Sequence, residues 1–201
     1  MSFEHADCAI ESIYGQSRLH VFSFGPNEQD NILCIDVLKI APDVPLVRVQ
    51  SACYTSEIFR STDCDCHEQL HASLGLIHEQ GGLLVYMLAD GRGAGLLTKV
   101  RGLALGESEG LDTFDAYVRL GKPVDPRDYS RVIEVLHALK QSSIRLLTNN
   151  PRKVDPLKQA GIGVERVPIE IEPTDASRPY LDAKRIKFGH LLDAKFFSGS
   201  K

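Results

Sequence analysis

The sequence lacks the features that define membrane-spanning and exported proteins. No apolar run approaches twenty residues, which excludes a membrane-spanning helix. The N-terminal residues 1–5 also lack the basic start and apolar core of an export signal. These absences predict a cytoplasmic protein with no membrane partner.

An excess of positive charge is also missing. Lys and Arg number 23 against 27 Asp and Glu, which gives a net charge of -4 and a pI near 6.0. Without an overall positive field, binding to a nucleic-acid backbone is disfavoured, and we predict no nucleic-acid partner. An anionic small molecule remains open, because a few Arg and Lys side chains can hold a triphosphate inside an acidic protein.

The cysteines do not form a disulfide framework. Their number, 5, is odd, and no export signal accompanies them. Cys8 and Cys34 lie in predicted strands and are interpreted as small buried apolar residues. The other three, Cys53, Cys64 and Cys66, cluster in a short segment, which indicates a metal site or a reactive thiol.

The order of predicted elements indicates an α+β fold. Strands come first and mixed elements follow, which favours a mixed β-sheet with flanking helices over a doubly wound nucleotide fold. We predict a single domain over residues 1–201, with a tail at 193–201 that frays from Ser198. The predicted strands are 9–14 and 19–24 around a turn at 15–17, then 31–40, 46–50, 83–87, 144–147 and 164–171. The predicted helices are 67–80, 95–105, 129–139, a segment after Pro151, and 180–192.

The three clustered cysteines suit Zn²⁺. A catalytic zinc site has three protein ligands and an open fourth position, where bound water loses a proton near neutral pH. The alternative is a closed structural site in which His67, or a more distant histidine, is the fourth ligand. The one-residue spacing of Cys64 and Cys66 disfavours this alternative, because zinc ribbons use at least two intervening residues and a second cysteine pair.

Several motifs occur in the order found in one enzyme family. The chain resembles GTP cyclohydrolase II over about residues 20–192. The motifs are Arg48-Val49-Gln50-Ser51-Ala52-Cys53, Asp63-Cys64-Asp65-Cys66, Asp90-Gly91-Arg92-Gly93 with Gly95-Leu96-Leu97, Asp125-Pro126-Arg127-Asp128, Arg145-Leu146-Leu147-Thr148-Asn149-Asn150-Pro151, and Tyr180-Leu181-Asp182 with Gly189-His190.

The resemblance implies a complete reaction. Such enzymes belong to riboflavin biosynthesis and hydrolyse GTP to formate, pyrophosphate and a diaminopyrimidine ribosyl phosphate. By resemblance Cys53, Cys64 and Cys66 hold a zinc ion that activates water for attack at C8, Mg²⁺ accompanies the triphosphate, and the chain forms a homodimer. Arg127 corresponds to the residue that attacks the α-phosphate, and Asp125 to its proton acceptor. The family's nucleotide contacts fall on Arg48, Ser51, Gln69, Asp90, Arg92, Thr113, Thr148 and Lys153.

Each of these motifs also has a purely structural interpretation. Residues 125–128 read as a helix start with Asp125 as the cap, which would occupy its carboxylate. The segment around Pro151 reads as a capping segment, and the glycines around Arg92 read as a turn. An isolated Arg or Gln usually lies on a solvated surface.

Three positions depart from the family pattern. Ala52 stands where a Glu is usual, Leu103 where a catalytic Tyr is usual, and Asp90 where a longer Glu is usual. A phenol can orient water or stack on a base, whereas Leu can only pack. A paralogue that stops at the formamide, one that opens another nucleotide, and an inactive zinc-stabilised partner protein are therefore the alternatives. Leu103 itself either faces the nucleotide or packs in the core with Leu96, Leu97 and Val100.

Overall fold

The structure is a computed structural model that describes residues 3–37 and 42–197. Its backbone contacts group into two compact units. Unit 1 comprises Met1–Gln50, Leu70–Leu88 and Asp128–Ile169, and unit 2 comprises Ser51–Gln69, Ala89–Arg127 and Glu170–Lys201. The single-domain assignment stays a prediction, and the predicted fraying from Ser198 lies outside the described residues.

A mixed β-sheet of 7 strands organises unit 1, in the order β1-β2-β3-β5-β4-β6-β7. The pairs β1-β2, β2-β3 and β3-β5 are antiparallel, and β4-β6 and β6-β7 are parallel. The predicted α+β class is confirmed. The strands are β1 Glu4–Ser12, β2 Gly15–Ser23, β3 Asn31–Asp36, β4 Leu46–Ser51, β5 Gly82–Met87, β6 Ser143–Leu147 and β7 Gly163–Val167.

Among the described residues, both units contain α-helices. They are α1 Tyr54–Glu57, α2 Cys66–Gln80, α3 Leu96–Glu109, α4 Thr113–Arg119, α5 Ser130–Ala138, α6 Val154–Gln159 and α7 Arg178–Phe188. Among the described residues, no helix combines the length and apolar character needed to cross a membrane.

The core of unit 1 lies against the sheet. Its buried side chains are Val37, Leu46, Ile77, Leu84, Leu147 and Ile169. Ile77 belongs to the helical period predicted from His67, and this period places the apolar face of α2 in that core. Gly82 is the first residue of β5. No larger residue fits at this position, because a Cβ atom would lie 1.9 Å from the carbonyl oxygen of Leu46.

In unit 2, α3 packs on α4 and α4 on α7. Asp112 caps α4 by accepting hydrogen bonds from the amides of Phe114 and Asp115. The Phe114 ring meets Phe188 of α7 edge-on, with ring centroids 5.4 Å apart. The sequence analysis missed α4 and the short α1, because neither is long enough to show a clear period.

Some predicted boundaries are wrong. The first turn is at 13–14 and not at 15–17, because Ser12 pairs with Gly15 across a two-residue hairpin. The last helix ends at Phe188 and not at 192, because Gly189 adopts a left-handed φ of 68° and caps it. The last strand ends at Val167, and β3 ends at Asp36, with predicted strand residues 38–40 outside the described part of the chain.

Candidate functional site

The three clustered cysteines lie together in unit 2. Cys53 precedes α1, Cys64 lies in the following loop, and Cys66 begins α2. The sulfurs of Cys53 and Cys64 are 3.7 Å apart, and all three lie within 4.8 Å of one another. Tetrahedral zinc with Zn–S bonds of about 2.3 Å places its sulfurs about 3.8 Å apart. The three sulfurs can therefore share one ion with little movement.

The described residues supply no fourth protein ligand to this cysteine group. His67, the nearest candidate in sequence, directs its ring nitrogens toward Arg60, with Nδ1 2.8 Å from Nη1. The arrangement therefore favours an open site over a closed one with His67.

The ionisation of each of the three thiols depends on the other two. Hydrogen bonds from the Cys64 and Cys66 thiols hold the pKa of Cys53 far below its ordinary value. The neighbouring Cys53 thiolate raises the pKa of Cys64 to about 11 and raises that of Cys66 as well. A divalent cation would supply the charge that ionises the other two.

Lys99 is a site residue that the sequence analysis missed. Its ammonium lies 3.1 Å from the Cys53 sulfur and 3.1 Å from Oδ1 of Asp90. Burial opposes its charge, but the Cys53 thiolate and Asp90 outweigh this effect and raise the pKa of Lys99. The other oxygen of Asp90 accepts the amide of Tyr54 at 2.8 Å, so this buried carboxylate positions Lys99 and the start of α1. A lysine in a helical period normally lies in solvent, and no sequence signal marked this one.

A second buried ion pair fixes the loop between two of the cysteines. Asp65 stands between Cys64 and Cys66, and its Oδ1 lies 2.9 Å from the ammonium of Lys184 in α7. Gln69 donates its side-chain amide to the other oxygen of Asp65 at 2.5 Å. Burial opposes ionisation of Asp65, but Lys184 outweighs it and holds the pKa of Asp65 below its usual range. Gln69, predicted as a nucleotide contact, thus supports the cysteine loop in this structure.

Replacing Lys184 by Met is expected to destabilise the protein by about 3 to 5 kcal/mol at neutral pH, because Asp65 would be left buried without its cation. The lowered pKa of Asp65 adds stability above the unfolded value of about 3.9, and this stability is lost as the pH falls through the folded value. The variant should therefore unfold in acid at a higher pH than the wild type. Urea denaturation at pH 7 and an acid titration followed by circular dichroism measure both effects.

Lys187→Met is the matched control on the same helix. Its ammonium pairs with Asp112 and Asp115 at an exposed position, where solvent screens the pairs, so a much smaller loss than in Lys184→Met is expected. Equal losses of stability in the two variants would show that the buried Asp65–Lys184 pair contributes no more than the exposed pairs of Lys187.

Arg127 and Asp125 form a bidentate ion pair, with Nε to Oδ1 and Nη2 to Oδ2 both at 2.7 Å. Both side chains are largely buried, and Nη1 of Arg127 donates to the Ser51 hydroxyl at 3.4 Å. The helix-start interpretation of residues 125–128 is wrong: α5 begins at Ser130, and Asp128 accepts the Ser130 amide. The Asp125 carboxylate is therefore committed to Arg127.

Arg92 and Thr113 also come together in unit 2. Arg92 donates to the Thr113 hydroxyl and, at 3.2 Å, to the carbonyl of Val124. Its guanidinium lies over the rings of Tyr117 and Phe188, 4.9 and 4.3 Å from their centroids. The turn that carries Arg92 passes beside the ion pair, because a Cβ at Gly93 would lie 3.5 Å from Cγ of Arg127.

The remaining predicted contacts, Arg48, Thr148 and Lys153, belong to unit 1 and are buried. Arg48 donates to the Gln50 side chain and to the Leu147 carbonyl, and Lys153 donates to the Val49 carbonyl at 2.6 Å. A solvated-surface interpretation of Arg48 is therefore wrong. The capping interpretation around Pro151 is correct for Asn150, whose side chain accepts the Arg152 amide.

Comparison with known proteins identifies the class to which this fold and site belong. The sequence model of GTP cyclohydrolase II matches residues 4–168. The chain therefore belongs to the GTP cyclohydrolase II family.

Individual relatives agree with this assignment. A GTP cyclohydrolase-2 from Picrophilus torridus is 38% identical over 94% of this chain and 98% of its own length. A GTP cyclohydrolase-2 from Archaeoglobus fulgidus is 47% identical over 73% of this chain and 39% of its own length. A riboflavin biosynthesis protein RibBA from Chlorobium phaeovibrioides is 39% identical over 95% of this chain and 47% of its own length. The chain thus spans less than half the length of these last two relatives.

Proposed function

We propose that this protein is a zinc-dependent hydrolase that opens the imidazole ring of GTP at C8 and releases formate and pyrophosphate, leaving a diaminopyrimidine ribosyl phosphate. The observation that carries the proposal is that one compact unit contains both a three-sulfur group, to which the described residues add no fourth ligand, and a buried Arg127–Asp125 pair. Membership of the GTP cyclohydrolase II family supports GTP as the substrate.

The cysteine group would hold the zinc ion. When bound, zinc supplies Lewis acidity that ionises water near neutral pH, as attack at C8 requires. Lys99 compensates the negative charge of the thiolates from the Cys53 side. Asp65 and Lys184 keep the loop between the other two ligands in place.

Arg127 would act at the α-phosphate. A guanidinium is a poor nucleophile at its ordinary pKa, so one nitrogen must lose its proton as it attacks. The 2.7 Å bond from Nη2 to Oδ2 of Asp125 gives that proton an acceptor. The new N–P bond forms as the bond from the α-phosphorus to the bridging oxygen breaks, and pyrophosphate leaves with the electron pair. Water then cleaves the N–P bond, which leaves the phosphate on the product and restores the protonated Arg127.

The substrate contacts follow from the family positions and from charge. Arg48, Ser51, Gln69, Asp90, Arg92, Thr113, Thr148 and Lys153 are proposed to contact the nucleotide, with Mg²⁺ on the triphosphate. Gln69 and Asp90 would in addition hold Asp65 and Lys99, which they already bind.

The direct test incubates the zinc-loaded protein with GTP and Mg²⁺ and measures formate, pyrophosphate and the ultraviolet spectrum together. We expect all three to change in step. Ring opening without formate would instead identify an enzyme that stops at the formamide. Absence of any turnover, with GTP and with other purine nucleotides, would favour a catalytically inactive partner protein.

One observation favours the formamide alternative. Leu103 replaces the family's Tyr and is 43% exposed on α3. Its neighbours Leu97 and Val100 are more exposed still. The core interpretation of Leu103 is therefore wrong. A side chain open to solvent is free to face a ligand but, as Leu, cannot orient water.

Leu103→Tyr is expected to raise the ratio of formate to opened ring, if the missing phenol limits the second hydration. A positioned proton-transfer group contributes about 10² to 10⁴-fold, which bounds the gain, and Ala52→Glu is a second substitution to combine with it. Because Leu103 is exposed, the added ring should not destabilise the fold. Leu97→Tyr, at a 64% exposed position of the same helix, is the control and should leave the ratio unchanged. An unchanged ratio in a folded Leu103→Tyr protein would show that this position does not set the product.

The cellular setting is proposed from the family alone: a cytoplasmic homodimer that acts in riboflavin biosynthesis and binds neither nucleic acid nor membrane. Light scattering at micromolar protein concentration tests the dimer, and a monomer mass would contradict it.

A further inference from the structure

The first two strands of the sheet place two histidines and a carboxylate on one face. His5 and Asp7 are two residues apart on β1, so their side chains point the same way. Asp7 pairs with His20 of β2 in the antiparallel register, which brings His20 to the same face. None of these residues takes part in the reaction proposed above.

We propose that His5, Asp7 and His20 form a second divalent-metal site, built from two imidazole nitrogens and one carboxylate oxygen. The facing atoms are His5 Nε2 and His20 Nδ1, 3.1 Å apart, and Asp7 Oδ2, 3.9 Å from His5 Nε2. The candidate ligand atoms of this trio all lie within 4.8 Å of one another. Tetrahedral zinc with bonds of about 2.0 to 2.1 Å places its ligand atoms about 3.3 Å apart. Small side-chain movements therefore suffice to bind one ion.

Two charged side chains, Arg18 and Asp36, lie beside the ligand groups. Arg18 pairs with Oδ1 of Asp7, which leaves Oδ2 toward the histidines. Asp36 of β3 lies 3.9 Å from Nε2 of His20, the ring nitrogen on the far side from the site. A carboxylate that accepts a hydrogen bond from the outer nitrogen of a metal-bound histidine is the usual arrangement. At 3.9 Å Asp36 makes no such bond here, so its side chain would have to move closer to Nε2 of His20 to take this role.

The rings are also held by packing. His5 stacks on Phe22 with centroids 4.4 Å apart and an interplanar angle of 18°. His20 is 7% exposed, and its Nε2 has no hydrogen-bond partner among the described residues.

The ligand set determines the class of metal. Imidazole with carboxylate suits Zn²⁺, Co²⁺, Ni²⁺ and Cu²⁺, and disfavours Mg²⁺ and Ca²⁺, which prefer oxygen ligands alone. An ion bound there would join β1, the end strand of the sheet, to β2. Its role would be to fasten an edge strand whose residues are largely exposed.

The test counts metal ions in the chelator-stripped, full-length protein. We expect two Zn²⁺ per chain in the wild type and one in His5→Ala, with Asp7→Asn binding the second ion at least about 10-fold more weakly. His137→Ala, an exposed histidine of α5, is the control and should keep two. Titration with Co²⁺ separates the sites, because thiolate ligands give an intense charge-transfer band and the histidine site does not.

That band should survive unchanged in His5→Ala, which also shows that the variant folds. Amide exchange gives a second readout: Zn²⁺ should slow exchange in β1 of the wild type and not of His5→Ala. One ion per chain in the wild type at saturating micromolar Zn²⁺, or two in His5→Ala, would overturn the proposal. These results do not depend on GTP turnover.

Discussion

Cys64→Ser is expected to bind no zinc tightly and to lose GTP ring opening by more than about 10³-fold, since ionised water at C8 would no longer be available near neutral pH. A serine hydroxyl is a hard, almost un-ionised ligand and does not replace a thiolate. The Cys53 thiolate raises the pKa of the Cys64 thiol to about 11, and a metal ion at the group would favour its ionisation. Zinc content and formate release measure the two effects.

The same variant separates a catalytic role of the metal from a structural one. The core of unit 1 does not include the cysteine group, so circular dichroism and the urea midpoint of Cys64→Ser should remain near those of the wild type. Cys8 lies outside the group and is exposed, so its predicted burial is wrong. Cys8→Ser is therefore the control and should retain zinc and turnover. Global unfolding of Cys64→Ser would assign the ion a structural role instead.

Arg127→Lys is expected to abolish pyrophosphate release, with a loss of at least about 10²-fold, although the charge is kept. A lysine ammonium cannot pair with both oxygens of Asp125 as the guanidinium does at 2.7 Å on each side, and it offers no second nitrogen for attack. A coupled pyrophosphate assay measures the loss.

Arg119→Lys provides the matched control, because Arg119 is exposed and pairs weakly with Glu109 at 3.7 Å. This variant should release pyrophosphate at the wild-type rate. Wild-type release by a folded Arg127→Lys protein would remove Arg127 from the mechanism, while leaving the zinc-dependent step at C8 intact.

Local chemistry made part of the candidate site predictable. Cys53, Cys64 and Cys66 stood out because few residue types bind soft metals, and their spacing lets a loop bring them together. Arg127 and Asp125 are two residues apart, so their pairing is compatible with the sequence, but a helix cap was equally compatible. Only the tertiary structure distinguished the ion pair from the helix cap, because α5 begins at Ser130.

The sequence by itself determined the α+β class, the cysteine set and the family, because residue type, period and motif order are local properties of the chain. Tertiary structure decided which charges are buried and paired. Lys99 meets Cys53 across 46 residues, and Lys184 meets Asp65 across 119. Such contacts depend on how distant segments pack and not on spacing, so a lysine that neutralises a thiolate looks in sequence like one that lies in solvent.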